Sequence, residues 1–167
     1  LFQSGCNCSQ SILTAFGEQH DIDPGLARRL GRPWGAGLGQ ALTCGALSGA
    51  VLVIGLAKDD PDEGRARQQT GETVRELFRR FDEGHGSTLC RGLLGHDMST
   101  DEGRRRIEEG KLTQVICPGL VRSVGEILED LVGSTTDRLE DSAEAAVSSA
   151  GVGAGGAATR VGRTSPP

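Results

Sequence analysis

The chain has 167 residues, 26 of them glycine, with 36% hydrophobic and 3% aromatic residues and a formal net charge of -5. That length fits one domain and excludes a large multidomain enzyme. The acidic balance and the few aromatics (Phe2, Phe16, Phe78, Phe81 and Trp34, with no tyrosine) leave neither a cationic surface nor a base-stacking platform, so nucleic acid is not an expected partner.

Apolar spacing predicts helices and no strand alternation. Ile12, Leu13 and Phe16 predict a first helix over about Leu1 to Gln19, with Gly17 as an early stop. Asp23-Pro24 opens a short helix through Leu30, because proline suits a first helical turn. Gly31, Pro33, Gly35, Gly37 and Gly39 then impose a loop. It follows no strand and so reads as a flexible lid or linker instead of a dinucleotide or phosphate cradle.

Leu42 to Ala57 is nearly uncharged and ends at Lys58-Asp59-Asp60. A membrane span needs about 20 apolar residues, so this shorter run predicts a helix buried on all sides and no membrane span. Gly45, Ala46, Ser48 and Gly49 leave little side chain on its first turns, which lets another backbone or a cofactor approach closely. Asp60-Pro61 starts an amphipathic helix with Val74, Leu77, Phe78 and Phe81 inside. Ser87 is placed to cap a short helix with Cys90, Leu93 and Leu94, and Ser99 or Thr100 a charged one to about Gly110. Pro118 opens a last helix with Val121, Val124, Leu128 and Leu131 inside. The expected fold is all-α, a compact domain of about six helices over residues 1–133. Residues 134–167, dominated by Ala, Gly, Ser and Thr, are expected to form a largely disordered tail.

The first residue is Leu1 and the single methionine is Met98, so a segment upstream is expected. No charged n-region followed by an apolar h-region is present, and the expected location is the cytoplasm. The apolar helix is able to cover a second subunit in a homodimer, and a core within one chain explains it equally well.

Five cysteines occur: Cys6, Cys8, Cys44, Cys90 and Cys117. An odd count does not read as a secreted disulfide framework, and in a reducing compartment dispersed cysteines serve metal binding, redox chemistry or packing. Cys44, Cys90 and Cys117 all fall at predicted helix starts. There the unpaired N–H groups and the positive end of the macrodipole favour an anion, which suits a reactive thiolate or a thiolate-bound metal. The bland alternative is a small buried hydrophobe at each position. Were Cys6 and Cys8 both on the first helix, their side chains would point about 200° apart. Only one would then face the interior, and Cys8 is the choice. The wide separations between cysteines match neither paired zinc knuckles nor the clustered run of bacterial ferredoxins.

Gly5-Cys6-Asn7-Cys8-Ser9-Gln10 resembles the GxNCxQ opening of the C-GCAxxG-C-C family of redox-active proteins. Cys44-Gly45-Ala46-Leu47-Ser48-Gly49-Ala50 is similar to its central glycine-rich block, Cys90-Arg91-Gly92-Leu93-Leu94-Gly95 with Asp97 to its third, and Cys117-Pro118 with Val121 to its fourth. The resemblance covers about Leu1 to Leu131. It implies a small helical domain with a redox role, in a group associated with iron-sulfur or other metal clusters. It also implies a site of Cys8, Cys44, Cys90 and Cys117, with Cys6 at a variable position. Some relatives carry a further cysteine or selenocysteine near the central block, where this chain has Gly45 and Ala46.

Three functions follow in order. The first is an iron-sulfur cluster held by Cys8, Cys44, Cys90 and Cys117, passing electrons to a redox partner protein. The second is a metal-free thiol/disulfide oxidoreductase with Cys44 as nucleophile and Cys8 resolving. The third is a structural zinc ion on the same four thiolates. His20, His85 and His96 read as solvated, with His96 placed to join the site if Cys8 turns away. Arg104, Arg105 and Arg106 read as a solvated helix face, the alternative being a dock for an acidic electron-transfer partner.

Overall fold

The computed structural model describes residues 1–133, and the expected disordered tail lies outside the described residues. Eight α-helical segments run in order: α1 Cys8–Phe16, α2 Pro24–Gly31, α3 Gly45–Ala57, α4 Glu63–His85, α5 Cys90–Leu94, α6 Asp101–Glu109, α7 Leu112–Val115 and α8 Cys117–Val132. No strand occurs among the described residues, whose sole sheet-like feature is an isolated antiparallel bridge between Thr43 and Leu89. The fold is all-α, as the apolar spacing predicts. The single turn α7 is the segment not expected.

Local chemistry sets most of the boundaries. The Asp23 carboxylate accepts from the Gly25 and Leu26 N–H groups, and Pro24 takes the first helical position of α2, as expected. The Thr100 hydroxyl accepts from Gly103 N–H at the head of α6. Several starts differ from expectation. The first helix begins at Cys8 and not Leu1, because Gly5 takes a left-handed conformation at φ 92° and Asn7 caps α1. It ends at Phe16 with Gly17 as C-cap, the early stop, and does not continue as an α-helix to Gln19. Helix α4 is capped by Asp62, two residues past the expected Asp60-Pro61 start, while Asp60 accepts from Asp62 N–H and pairs with Arg65. Ser87 does not cap α5: its hydroxyl accepts from the Leu89 N–H just before the helix.

Helix α3 packs against α1, α4 and α8, and its Ala46, Leu47, Ala50, Val53 and Ile54 are fully buried. It is not buried on all sides, since Gly55 and Leu56 are exposed and Val51 and Leu52 half-buried. Leu42 and Thr43 lie outside it, drawn into the bridge with the segment before α5. No described helix is long and apolar enough to cross a membrane. The small residues at the head of α3 allow the expected close approach. A Cβ on Gly49 would lie 2.9 Å from the Ser9 carbonyl oxygen and 3.1 Å from Ile12 Cβ, so α1 and α3 meet nearly backbone to backbone.

Candidate functional site

Four of the five cysteines stand at helix starts. Cys8, Cys90 and Cys117 are the first residues of α1, α5 and α8, and Cys44 is the residue before α3. The Thr43–Leu89 bridge brings two of them together: Cys44 N–H donates to Thr88 O at 2.9 Å and Cys90 N–H donates to Leu42 O at 2.6 Å. Cys44 and Cys90 each follow a bridged residue, so strand alternation sends both to the same side. Gly45 lets α1 in against this pair, because a Cβ there would sit 3.3 Å from Cys8 Cβ and 2.8 Å from the Trp34 carbonyl oxygen.

The four thiols line one cavity of about 230 Å³. Each is less than a tenth exposed. Gly45, Leu94 and Leu120 complete the buried wall, and half-buried Phe2, Asn7, Ala36, Leu93, Met98 and Thr113 form the rim. No ionisable side chain other than the cysteines lines it. Among described residues the sequence-predicted set of Cys8, Cys44, Cys90 and Cys117 is thus brought to one place. Cys6 is buried but does not line the cavity. It precedes α1 instead of lying on it, so the helical angle between Cys6 and Cys8 does not arise. His96 is exposed and away from the lining, and Cys8 does not turn away to make room for it.

The thiols are electrostatically unequal. The Cys8 thiol donates a hydrogen bond to Cys117, which holds Cys117 below the usual thiol range against the opposing effect of burial. The same bond, then burial and the negative charges of Cys117, Cys44 and Cys90, push Cys8 far up. Burial raises Cys44 even though the nearby Ala46 and Leu47 N–H groups favour its thiolate. Cys90 is pushed up to about 12 by burial and by the charges of Cys44 and Cys117. At Cys44, the nucleophile expected from its helix start, desolvation outweighs the favourable influence of the Ala46 and Leu47 N–H groups, whereas Cys117 is held below the usual thiol range.

A four-thiol donor set in an apolar cavity fits an iron-sulfur cluster, which distributes cysteine ligands over more than one iron. A single zinc ion uses the same four-thiolate donor set, with all four sulfurs at about 2.3 Å from one centre. Among the described residues no group of three His, Cys, Asp or Glu side chains is already drawn together around a metal position, so either group would require the thiols to close in.

Apolar spacing alone misses Asn7, Met98 and Thr113 at the rim. The signal for Asn7 is present: Asn7 and Gln10 stand three apart, the spacing of a capping box. The three arginines of α6 are engaged on the solvated surface, Arg104 with Asp101, Arg105 with Glu102 and Glu109, and Arg106 with Glu102.

No curated protein and no solved structure matches the chain. Residues 6–131 match the family model C_GCAxxG_C_C, described as "Putative redox-active protein", and that span carries every thiol of the cavity. With three quarters of its length inside the match, the chain belongs to the C_GCAxxG_C_C family of redox-active proteins.

Proposed function

We propose that the four-thiol cavity is a one-electron redox centre in which Cys8, Cys44, Cys90 and Cys117 hold an iron-sulfur cluster and serve a redox partner protein. One observation carries this reading: all four thiols, from four helix starts, face the same uncharged cavity. A dithiol mechanism uses two of them and leaves Cys44 and Cys90 without a task. When bound, such a cluster supplies one-electron redox chemistry. The chain's part is to offset negative charge with the N–H groups at the starts of α1, α3 and α8 and to limit water with an apolar wall. Five free thiols suit a reducing compartment, in keeping with the expected cytoplasmic location. The test is iron and acid-labile sulfide analysis, with a visible spectrum, on anaerobically purified and reconstituted protein. Stoichiometric iron and sulfide support the reading; colourless protein without either refutes it.

The Cys8 and Cys117 thiols line the same cavity and bias each other's ionisation in opposite directions, which favours a second reading, thiol/disulfide exchange. In it the Cys117 thiolate attacks a substrate disulfide and expels one thiolate, and Cys8 resolves the mixed disulfide as the second leaves. Cys117 replaces Cys44 as the nucleophile. Retained disulfide reductase activity in metal-free protein, lost in Cys117→Ser, supports this reading against the first.

A further inference from the structure

We infer that Asn7 is a positioning residue for the centre: its carboxamide ties the start of α1, and with it the Cys8 sulfur, to the loop at the cavity rim. The inference rests on the redox role proposed for the cavity.

The side chain has two separate duties. Its oxygen caps α1 by accepting from Gln10 N–H at 2.9 Å, and the Gln10 side chain returns the bond by accepting from Asn7 N–H at 2.9 Å. Its nitrogen points the other way and donates to the Arg32 carbonyl at 3.1 Å and to the Gly31 carbonyl at 3.4 Å. Gln10 adds a third tie, donating to Arg28 O at 2.8 Å. A cap alone requires only the oxygen. The nitrogen's bonds cross to the far end of α2 and the chain that follows it, and that chain reaches the rim at Ala36. Gly35 makes room for the contact, because a Cβ there would lie 2.6 Å from the Asn7 nitrogen.

The loop needs an anchor. Ala36, Leu38 and Ala41 hold left-handed φ values of 55°, 60° and 54°, which side chains disfavour. At its far end Leu42 O accepts from Cys90 N–H. At its near end the ties are those of Asn7 and Gln10. Asn7 therefore stands between Cys8 and the segment that leads to Cys44, and it is itself part of the rim.

Two substitutions separate anchoring from capping. Asn7→Asp keeps an oxygen for Gln10 N–H but sets a carboxylate against two carbonyl oxygens. Gly35→Ala leaves Asn7 intact and displaces its carboxamide. The full-length, metal-free protein is equilibrated with reduced and oxidised dithiothreitol, and the Cys8–Cys117 disulfide is quantified by peptide mass spectrometry. Cys8 and Cys117 give up two electrons and two protons to the cyclic disulfide, which becomes the dithiol. We expect the equilibrium constant for the Cys8–Cys117 disulfide to fall tenfold or more in both variants, while Asn7→Asp, which keeps the cap, retains wild-type helicity. Values within twofold of wild type in both variants overturn the inference. Should Asn7→Asp fail to fold, Gly35→Ala decides alone. Wild-type protein that forms no Cys8–Cys117 disulfide overturns the thiol pairing itself, and with it the role of Asn7. Iron binding takes no part in this readout, so its failure is distinct from failure of the proposed cluster.

Discussion

Replacing Gly49 with alanine tests the close approach of α1 and α3 on which the site depends. Two glycines of α3 provide the comparison. A Cβ on Gly55 meets nothing within 4 Å, whereas one on Gly49 meets the Ser9 carbonyl oxygen at 2.9 Å, Ser9 Cα at 3.1 Å and Ile12 Cβ at 3.1 Å. Alanine at either position gains about 0.5–1 kcal/mol by restricting the unfolded chain and favouring the helix. At Gly49 the neighbours are two backbone atoms and a Cβ, none of which can rotate aside, and overpacking of this kind costs about 1–3 kcal/mol. The shared helix gain cancels between the two variants. Gly49→Ala should therefore be about 2 kcal/mol less stable than Gly55→Ala, a difference of roughly 6–8 °C in Tm for a domain of this size. Thermal and urea denaturation followed by circular dichroism read both quantities. If Gly49→Ala is as stable as Gly55→Ala, the helices do not approach as described, and the placement of Cys8 beside the head of α3 fails with them.

Two further predictions concern ionisation. In reduced, metal-free protein at neutral pH, iodoacetamide should modify Cys117 ahead of Cys8, Cys44 and Cys90, because the thiolate is the nucleophile and only Cys117 is held below the usual range; site-resolved mass spectrometry in which Cys44 reacts first contradicts the assignment. Glu76 is held down to about 2 by hydrogen bonds from Arg79 and Arg80, against an ordinary value of 4.5. A carboxyl whose folded pKa is depressed adds stability that is present above pH 4.5 and lost as pH falls toward 2. Glu76→Gln should accordingly flatten the loss of stability with acid in that window, read by denaturation at a series of pH values. An unchanged slope means that these exposed ion pairs are screened to nothing.

Features written in neighbouring residues were legible in the sequence. Asp23-Pro24 announces α2 and Thr100 announces α6, because a cap needs only the next three residues. The small residues Gly45 and Gly49 announced a close approach, though not which backbone makes it. Apolar spacing hid the true start of α1, since Ile12 and Phe16 look the same whether the helix begins at Leu1 or Cys8; the Asn7 to Gln10 spacing carried the answer. The Thr43–Leu89 bridge and the meeting of Cys8 and Cys117 in one cavity join segments far apart in the chain, so no local pattern encodes them. The ranking of the thiols failed for a related reason. Helix starts were visible, but the burial that overrides them at Cys44 is a tertiary property.

The central claim is that four cysteines act as one centre and the fifth does not. The most direct test is iron retention in five single Cys→Ser variants, reconstituted anaerobically beside wild type and corrected for folded fraction by circular dichroism. The account predicts that Cys8→Ser, Cys44→Ser, Cys90→Ser and Cys117→Ser each lose most of the iron and sulfide, while Cys6→Ser, whose thiol is outside the cavity, retains both. Wild-type iron in any of the four, or its loss in Cys6→Ser alone, contradicts it.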